Sequence, residues 1–531
     1  MSLSSSAFLL FLVITVAVYY LVPKKTQWVV LLAASYFYYL SNGYKIVAFL
    51  LMTTATTYAG GLFLGHLNSK KKIQFQKFGK EVTAEQKKAI ADRYTRNKKL
   101  IIAAVLLFNF GILAAIKYYN FVAENINLLL GLFSHFSFPK MTWLLPLGLS
   151  FYIFQSTGYV IDAYRGKYPP EKNFFKFALF VSFFPQIIQG PISRFDQLAH
   201  QLYESHTFSF DRLKYGIQLM MWGFFKKLIV ADRTAVIVDN VFSHYQNYPG
   251  SIVAVGVFMY CIQIYCDFSG GIDIIRGIAQ ILGIDMIENF QRPYFATSLS
   301  DFWRRWHISL GAWMRDYLFY PLSLSKPFIK LGKLSRKKIK GNLGKILPVS
   351  VVTFIVFFTI GIWHGASWKY IAFGIWNGGI ITFSLICAPI YEKILAKLHI
   401  NPHRLYWRLF QILRTTVLVF IGRYFTRGEN LMTALRMLKR TLLHFDAGAL
   451  WSRTVLNLGL SAFDLLVVLV CGLVILGAGL LKEKGMSIRK TLEQKSMVTQ
   501  WIVVFAGLML IVLLGIYREG YIASEFIYKQ F

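Results

Sequence analysis

Two histidines stand where polar residues are scarce. His364 lies in Gly361-Ile362-Trp363-His364-Gly365-Ala366-Ser367-Trp368, between apolar runs 346–360 and 370–388 that are each about long enough to cross, or nearly cross, a bilayer. A histidine is costly to place there. Imidazole, with an ordinary pKa of about 6.5, can take a proton from a hydroxyl and give it back. Glycines on both sides thin the helix, so backbone or substrate can come close. The residues alone favour a hydrogen-bonded packing histidine over a catalyst.

His307 follows Ser300-Asp301-Phe302-Trp303-Arg304-Arg305-Trp306. Ser300 is the expected N-cap, with Asp301 in the first turn where it complements the helix dipole. Trp303, Arg304 and His307 would then share one face. This mixture predicts a short re-entrant helix with a cationic mouth for a phosphorylated donor; an interfacial anchor with snorkelling arginines is the plainer alternative. In Tyr265-Cys266-Asp267-Phe268-Ser269-Gly270-Gly271-Ile272-Asp273, two carboxylates flank a Ser-Gly-Gly triplet. That predicts a broken helix in which Asp267, Ser269 and Asp273 play a structural part, with Arg304, Arg305 or Arg315 as partners. Two prolines and a glycine in 183–195 predict an irregular buried wall. No Gly-x-Ser-x-Gly elbow, Walker loop or zinc-like His/Cys cluster appears, so hydrolase or ATPase chemistry has no support and no metal is expected.

The elements that must hold these groups are membrane helices. Of 531 residues, 56% are hydrophobic and 16% charged, and the mean hydropathy is +0.48. The expectation is an all-α polytopic protein with about 11 crossings plus re-entrant or interfacial helices. The run 4–21 lacks a basic n-region and a cleavage site and reads as a retained first helix. The net charge of +33 is concentrated between apolar runs, which points to cytoplasmic loops and anionic lipid, not to nucleic acid. Segments 69–99, 326–345 and 482–495 carry the basic excess and are expected inside. Parity then puts the C-terminal tail outside. Segment 427–453 is also basic on the outer side, but its leucine spacing is that of an interfacial amphipathic helix. Cys261, Cys266, Cys387 and Cys471 fall in apolar runs and read as core thiols.

Taken together, Phe184-Pro185-Gln186, Gly190-Pro191, Asp267-Phe268-Ser269-Gly270, Glu288-Asn289-Phe290, Pro293-Tyr294, the 300–310 stretch, Trp313-Met314-Arg315-Asp316-Tyr317-Leu318 and Trp363-His364-Gly365-Ala366 resemble the membrane-bound O-acyltransferase (MBOAT) family. The likeness is to its bacterial, AlgI-like branch. It implies one membrane domain around a central funnel: peripheral helices over 1–139, a catalytic core over 140–425, and C-terminal helices with an extracytoplasmic acceptor tail over 426–531. By the same likeness His364 is the essential histidine and His307 the second. Trp303, Arg304, Arg305, Arg315, Trp363 and Asn377 are candidate substrate contacts. The ending with Phe526, Tyr528 and Phe531 resembles an acyl-acceptor motif with Tyr528 as the transient acceptor. Two positions depart from the pattern: Asn377 stands near a place where relatives often carry histidine, and Lys529 replaces an aromatic.

The implied reaction moves an acyl group, most simply acetyl from acetyl-CoA with no bound cofactor, from a cytoplasmic thioester to an envelope polysaccharide. An extracytoplasmic acetyltransferase partner would complete it, and the location would be the bacterial cytoplasmic membrane. D-alanyl transfer to teichoic acid from a carrier-protein thioester is the alternative of the same kind. A polysaccharide-precursor transporter or flippase, with the histidines as a proton relay, is the alternative of another class.

Overall fold

The computed structural model describes residues 1, 3–77, 83–133, 136–143, 146, 148–339 and 341–516. The tail with Phe526, Tyr528 and Phe531 lies outside the described residues. Among those described, the regular structure is helical, with one isolated antiparallel bridge between Phe290 and Trp306. In lipid only a helix satisfies its own backbone groups within one segment, which is why apolar runs take this form.

Eight described helices are long and apolar enough to cross a membrane: Tyr44–Gln76, Ala84–Leu130, Gly250–Ile281, Leu343–His364, Trp368–Lys397, Leu405–Arg427, Ala462–Glu483 and Met497–Leu514. Ser6–Leu21 and Phe174–Gln189 are apolar but shorter. Starts are capped where the sequence supplies a side chain. Thr83 and Gln86 form a reciprocal capping box at the head of the 47-residue helix Ala84–Leu130, and Ser461 and Ser496 accept the N–H of Asp464 and Thr499.

The chain divides into two compact units, Met1–Gly216 with Ile275–Ile287, and Ile217–Ile274 with Glu288–Phe531. In the first, helices Tyr44–Lys77, Ala84–Leu130 and Leu149–Arg165 pack together. Asn109 is buried there and bonds Thr56 Oγ1 at 3.1 Å and Val105 O at 2.9 Å. The proline-glycine segment is buried as expected. Helix Phe174–Ser182 ends, Phe184–Gln189 begins with Pro185 in its first turn, and Gln155 ties the two by donating to Phe180 O and accepting from Gln186 Nε2, both at 2.8 Å.

In the second unit the Ser269-Gly270-Gly271 triplet does not break its helix, which runs unbroken over Gly250–Ile281. The glycine serves close approach instead. A Cβ on Gly270 would lie 2.8 Å from Gly223 O, and one on Gly223 2.5 Å from Gly270 O. The carboxylates also take other partners than the arginines expected. Asp267 accepts from Lys227 Nζ at 2.6 Å, and Lys227 reaches Asp232 at 3.0 Å. Lys226 binds Asp273 at 2.7 Å and Ser269 Oγ at 2.9 Å. Both lysines come from a π-helical turn, Phe225–Ala231. The extra residue in a π turn re-aims neighbouring side chains, and such turns cluster at constrained sites.

Candidate active site

His364 is the last residue of helix Leu343–His364, and Trp368–Lys397 folds back antiparallel against it. The glycines that thin the turn are needed by this hairpin. A Cβ on Gly361 would sit 2.5 Å from Tyr370 O and 2.8 Å from the Gly374 Cα, and a Cβ on Gly365 would sit 2.4 Å from the Tyr370 ring. Backbone meets backbone at Gly361 and Gly374, and His364 is left at the mouth of the contact. Its ring lies edge-on to Phe373 at 5.5 Å, parallel to Tyr370 at 6.2 Å and tilted to Trp363 at 4.9 Å.

His307 is reached through one ring. Trp363, itself buried, stands 6.2 Å from the His307 imidazole, and Phe268 packs edge-on to that imidazole at 4.9 Å. The local chain path differs from the expectation. Ser298, not Ser300, caps helix Leu299–Arg305, accepting the Asp301 N–H at 3.1 Å, and the helix stops before Trp306. His307 follows in the left-handed region, φ 48°, as the N-cap of Ile308–Met314. It therefore shares no helix face with Trp303 and Arg304. The cause is the neighbouring extended strip: Gln291 N–H donates to Arg305 O at 2.9 Å and Ile308 N–H to Asn289 O at 3.1 Å. Holding a histidine left-handed costs on the order of 1 kcal/mol, and such strain persists where surroundings over-determine it.

Asn289 also sets the proton position on His307. Its Oδ1 accepts the Ser309 N–H at 2.8 Å, which directs its NH2 to His307 Nδ1 at 3.2 Å. The same Nδ1 lies 3.4 Å from Oδ1, but that oxygen is engaged by the shorter bond. Nδ1 is thus assigned as acceptor and Nε2 carries the hydrogen. His307 is 2% exposed, and burial pushes its pKa down to about 3, so the ring is neutral and presents a donor.

His364 opens on a narrow cleft walled by Trp303, Trp306, Phe373, Arg423 and Thr426. Trp303 Nε1–H donates to Asn377 Oδ1 at 3.0 Å, and Asn377 Nδ2 donates to Phe373 O at 2.8 Å. Asn377 therefore fixes one wall of the cleft. The cationic residues of the sequence reading separate. Arg304 is exposed and binds Asp301 at 3.3 Å, and Arg315 is exposed and binds Asp316 at 2.9 Å. Arg305 is mostly covered and joins Asp301 at 3.1 Å to Glu483 at 3.3 Å. Glu483 gathers two more guanidiniums, Arg292 at 2.6 Å and Arg408 at 3.3 Å.

Sequence reasoning gave no role to Asn289, Arg423, Lys226, Lys227 or Glu483. For three of them a signal existed: Arg423, Lys226 and Lys227 are charges inside apolar runs 409–425 and 215–230. Asn289 and Glu483 matter through partners far away in the chain, which spacing does not show.

Residues 171–336 match the family model of MBOAT, the membrane-bound O-acyltransferase family. That stretch includes His307 and ends before His364. The chain is 36% identical to the probable alginate O-acetylase AlgI of Pseudomonas putida, over 61% of this chain and 61% of that protein. It is 31% identical to the peptidoglycan O-acetyltransferase of Helicobacter pylori over 64% of each. It is 27% identical to the teichoic acid D-alanyltransferase of Bacillus subtilis, over 53% of this chain and 69% of that protein. The match to the AlgI proteins spans less than two thirds of their length. Residues 171–336 thus match the membrane-bound O-acyltransferase family model, and about three fifths of the chain is similar to the AlgI proteins.

Proposed function

We propose that the chain is a multi-pass membrane O-acetyltransferase serving the O-acylation of an envelope polysaccharide. The observation that carries this reading is His364 at the end of an apolar helix, facing a cleft, with neutral His307 one tryptophan ring away. The names of the alginate and peptidoglycan relatives support polysaccharide as the final acceptor.

In this reading a cytoplasmic thioester, acetyl-CoA, supplies the acyl group, and its charged portion stays on the basic side near Arg304 and Arg305. His364 takes the proton of an attacking hydroxyl. That hydroxyl is Tyr528 of the tail, whose ordinary pKa near 10 makes it a poor nucleophile without a base. The Nε2–H of His307 orients the thioester. The product, a tyrosyl ester outside the membrane, passes its acyl group to an external acetyltransferase and so to polymer. Only a small acyl group crosses.

The test uses the full chain reconstituted in lipid nanodiscs with radiolabelled acetyl-CoA. Wild type should accumulate hydroxylamine-sensitive label on the protein, with the acyl mass on Tyr528 by peptide mass spectrometry. His364→Ala should lose at least about 10²-fold in rate, the usual scale for removing a general base. Label at wild-type rates in His364→Ala would end the base assignment. Undiminished label in Tyr528→Phe would end the relay.

A further inference from the structure

The cleft at His364 has a charged wall, Arg423, that the acyl-transfer steps given for His364 do not use. Arg423 sits in helix Leu405–Arg427, within an apolar run, and is only 3% exposed. Its guanidinium lies 4.7 Å over the Trp306 ring, and its side chain and His364 line the same cleft. Burying a guanidinium among membrane helices costs several kcal/mol, even with good partners. Its side chain is in hydrogen-bonding reach of the Cys261 thiol and the Tyr294 hydroxyl, and Tyr294 donates its own hydroxyl hydrogen to Cys261 O at 2.9 Å. The stack on Trp306 fixes the plane of the fork. Arginine cannot give up its proton, so it cannot serve as base or acid here. What a fixed, permanent cation in this cleft can do is hold negative charge that appears during reaction.

We propose that Arg423 is the oxyanion-stabilising group of the acyl transfer at His364. The inference rests on the acyltransferase reading above. The hydroxyl oxygen bonds to the thioester carbonyl carbon while its proton passes to His364. The carbonyl π pair moves onto oxygen, giving a tetrahedral oxyanion against Arg423. The pair then returns, the carbon–sulfur bond breaks, and the thiolate leaves with the proton from His364. Atoms and charge balance with thioester and hydroxyl as the only reactants. The carbonyl of the ground state carries little charge, so the contact strengthens only in the transition state.

The assay is single-turnover thiol release from acetyl-CoA by the full chain in nanodiscs, with the rate at saturating donor and the half-saturating donor concentration read separately as kcat and KM. Arg423→Gln should lower kcat by about 10²-fold and leave KM within about threefold, the signature of an interaction made only in the transition state. Arg423→Lys should fall between the two. Guanidinium ion added to Arg423→Ala, below denaturing concentration, should restore part of the rate, which a purely structural role would not produce. A folded Arg423→Gln with kcat within about threefold of wild type, or with its whole loss in KM, overturns the inference. If Arg423→Gln does not fold, Arg423→Lys decides on the same two criteria. Wild type and His364→Ala run alongside. If wild type releases no thiol, the acyltransferase reading itself fails; if wild type is active, His364→Ala is dead and Arg423→Gln matches wild type, only the role of Arg423 does.

Discussion

At His307 the hydrogen sits on Nε2 because Asn289 offers its NH2 to Nδ1, and burial keeps the ring uncharged. Asn289→Asp reverses both conditions. A carboxylate would accept from Nδ1–H and favour imidazolium, so the donor at Nε2 becomes charged or switches off with tautomer. The expected result is a loss of at least about tenfold in kcat, with an ionisation near neutral pH that the wild-type profile lacks. Activity in that variant should fall as pH rises through the new pKa, where the neutral ring keeps its hydrogen on Nδ1 and Nε2 stops donating. A profile superimposable on wild type would refute the assignment. Stability carries a matching sign. An unfolded histidine protonates near pH 6.5, whereas folded His307 does so only at about pH 3. Between those values the unfolded chain holds a proton that the folded chain refuses, so folding weakens as pH falls through this window. His307→Gln should flatten that part of the unfolding curve, read by thermal melts of detergent-solubilised protein.

Among elements, the π turn Phe225–Ala231 and helix Gly250–Ile281 are joined by charge in addition to the small-residue contact at Gly223 and Gly270. Lys227 is held between Asp267 and Asp232, all three essentially out of solvent. Removing the cation alone strands two carboxylates, so Lys227→Met should cost about 3–5 kcal/mol. Replacing all three by apolar residues of similar volume should recover most of that stability in the same melts. The hairpin of Leu343–His364 and Trp368–Lys397 depends on the opposite device, the bare backbone at Gly361 and Gly374. A Cβ on Gly374 would meet Phe357 O at 2.8 Å and the Gly361 Cα at 3.1 Å. Gly374→Leu should part the helices, moving His364 relative to Trp303 and Arg423. Activity should then fall well before the fold is lost, measured as thiol release against melting temperature.

For the molecule as a whole, the +33 net charge has a geometric expectation attached. If basic stretches mark the inner face, Lys337→Cys should react with a membrane-impermeant maleimide only after cells are opened. Labelling of intact cells would invert the topology and with it the donor side. Much of this architecture was legible early. Apolar length marked every helix that is long enough to span, and His364 and His307 stood out because histidine is expensive among such neighbours. Asp267 was rightly read as paired, but its partner was not readable: Lys227 is forty residues away and is aimed by a π turn that leaves no periodic trace. The helix break before His307 escaped for a similar reason, since it depends on the strip Asn289–Gln291 lying alongside. Local patterns report which residues a helix can contain; they do not report which distant backbone ends it.

The glycine contact at Gly361 and Gly374 has one more consequence. With no side chains between the two backbones, the hairpin has no compressible layer there, and a shift of one residue would drive Ile362 or Ile375 into the opposing chain. The cleft beside it behaves as a gauge with fixed jaws. Selection among acyl groups should then go in steps, not gradually: acetyl accepted, and each further methylene penalised by roughly ten- to a hundredfold in kcat/KM, a ladder that acetyl, propionyl and butyryl thioesters would trace directly.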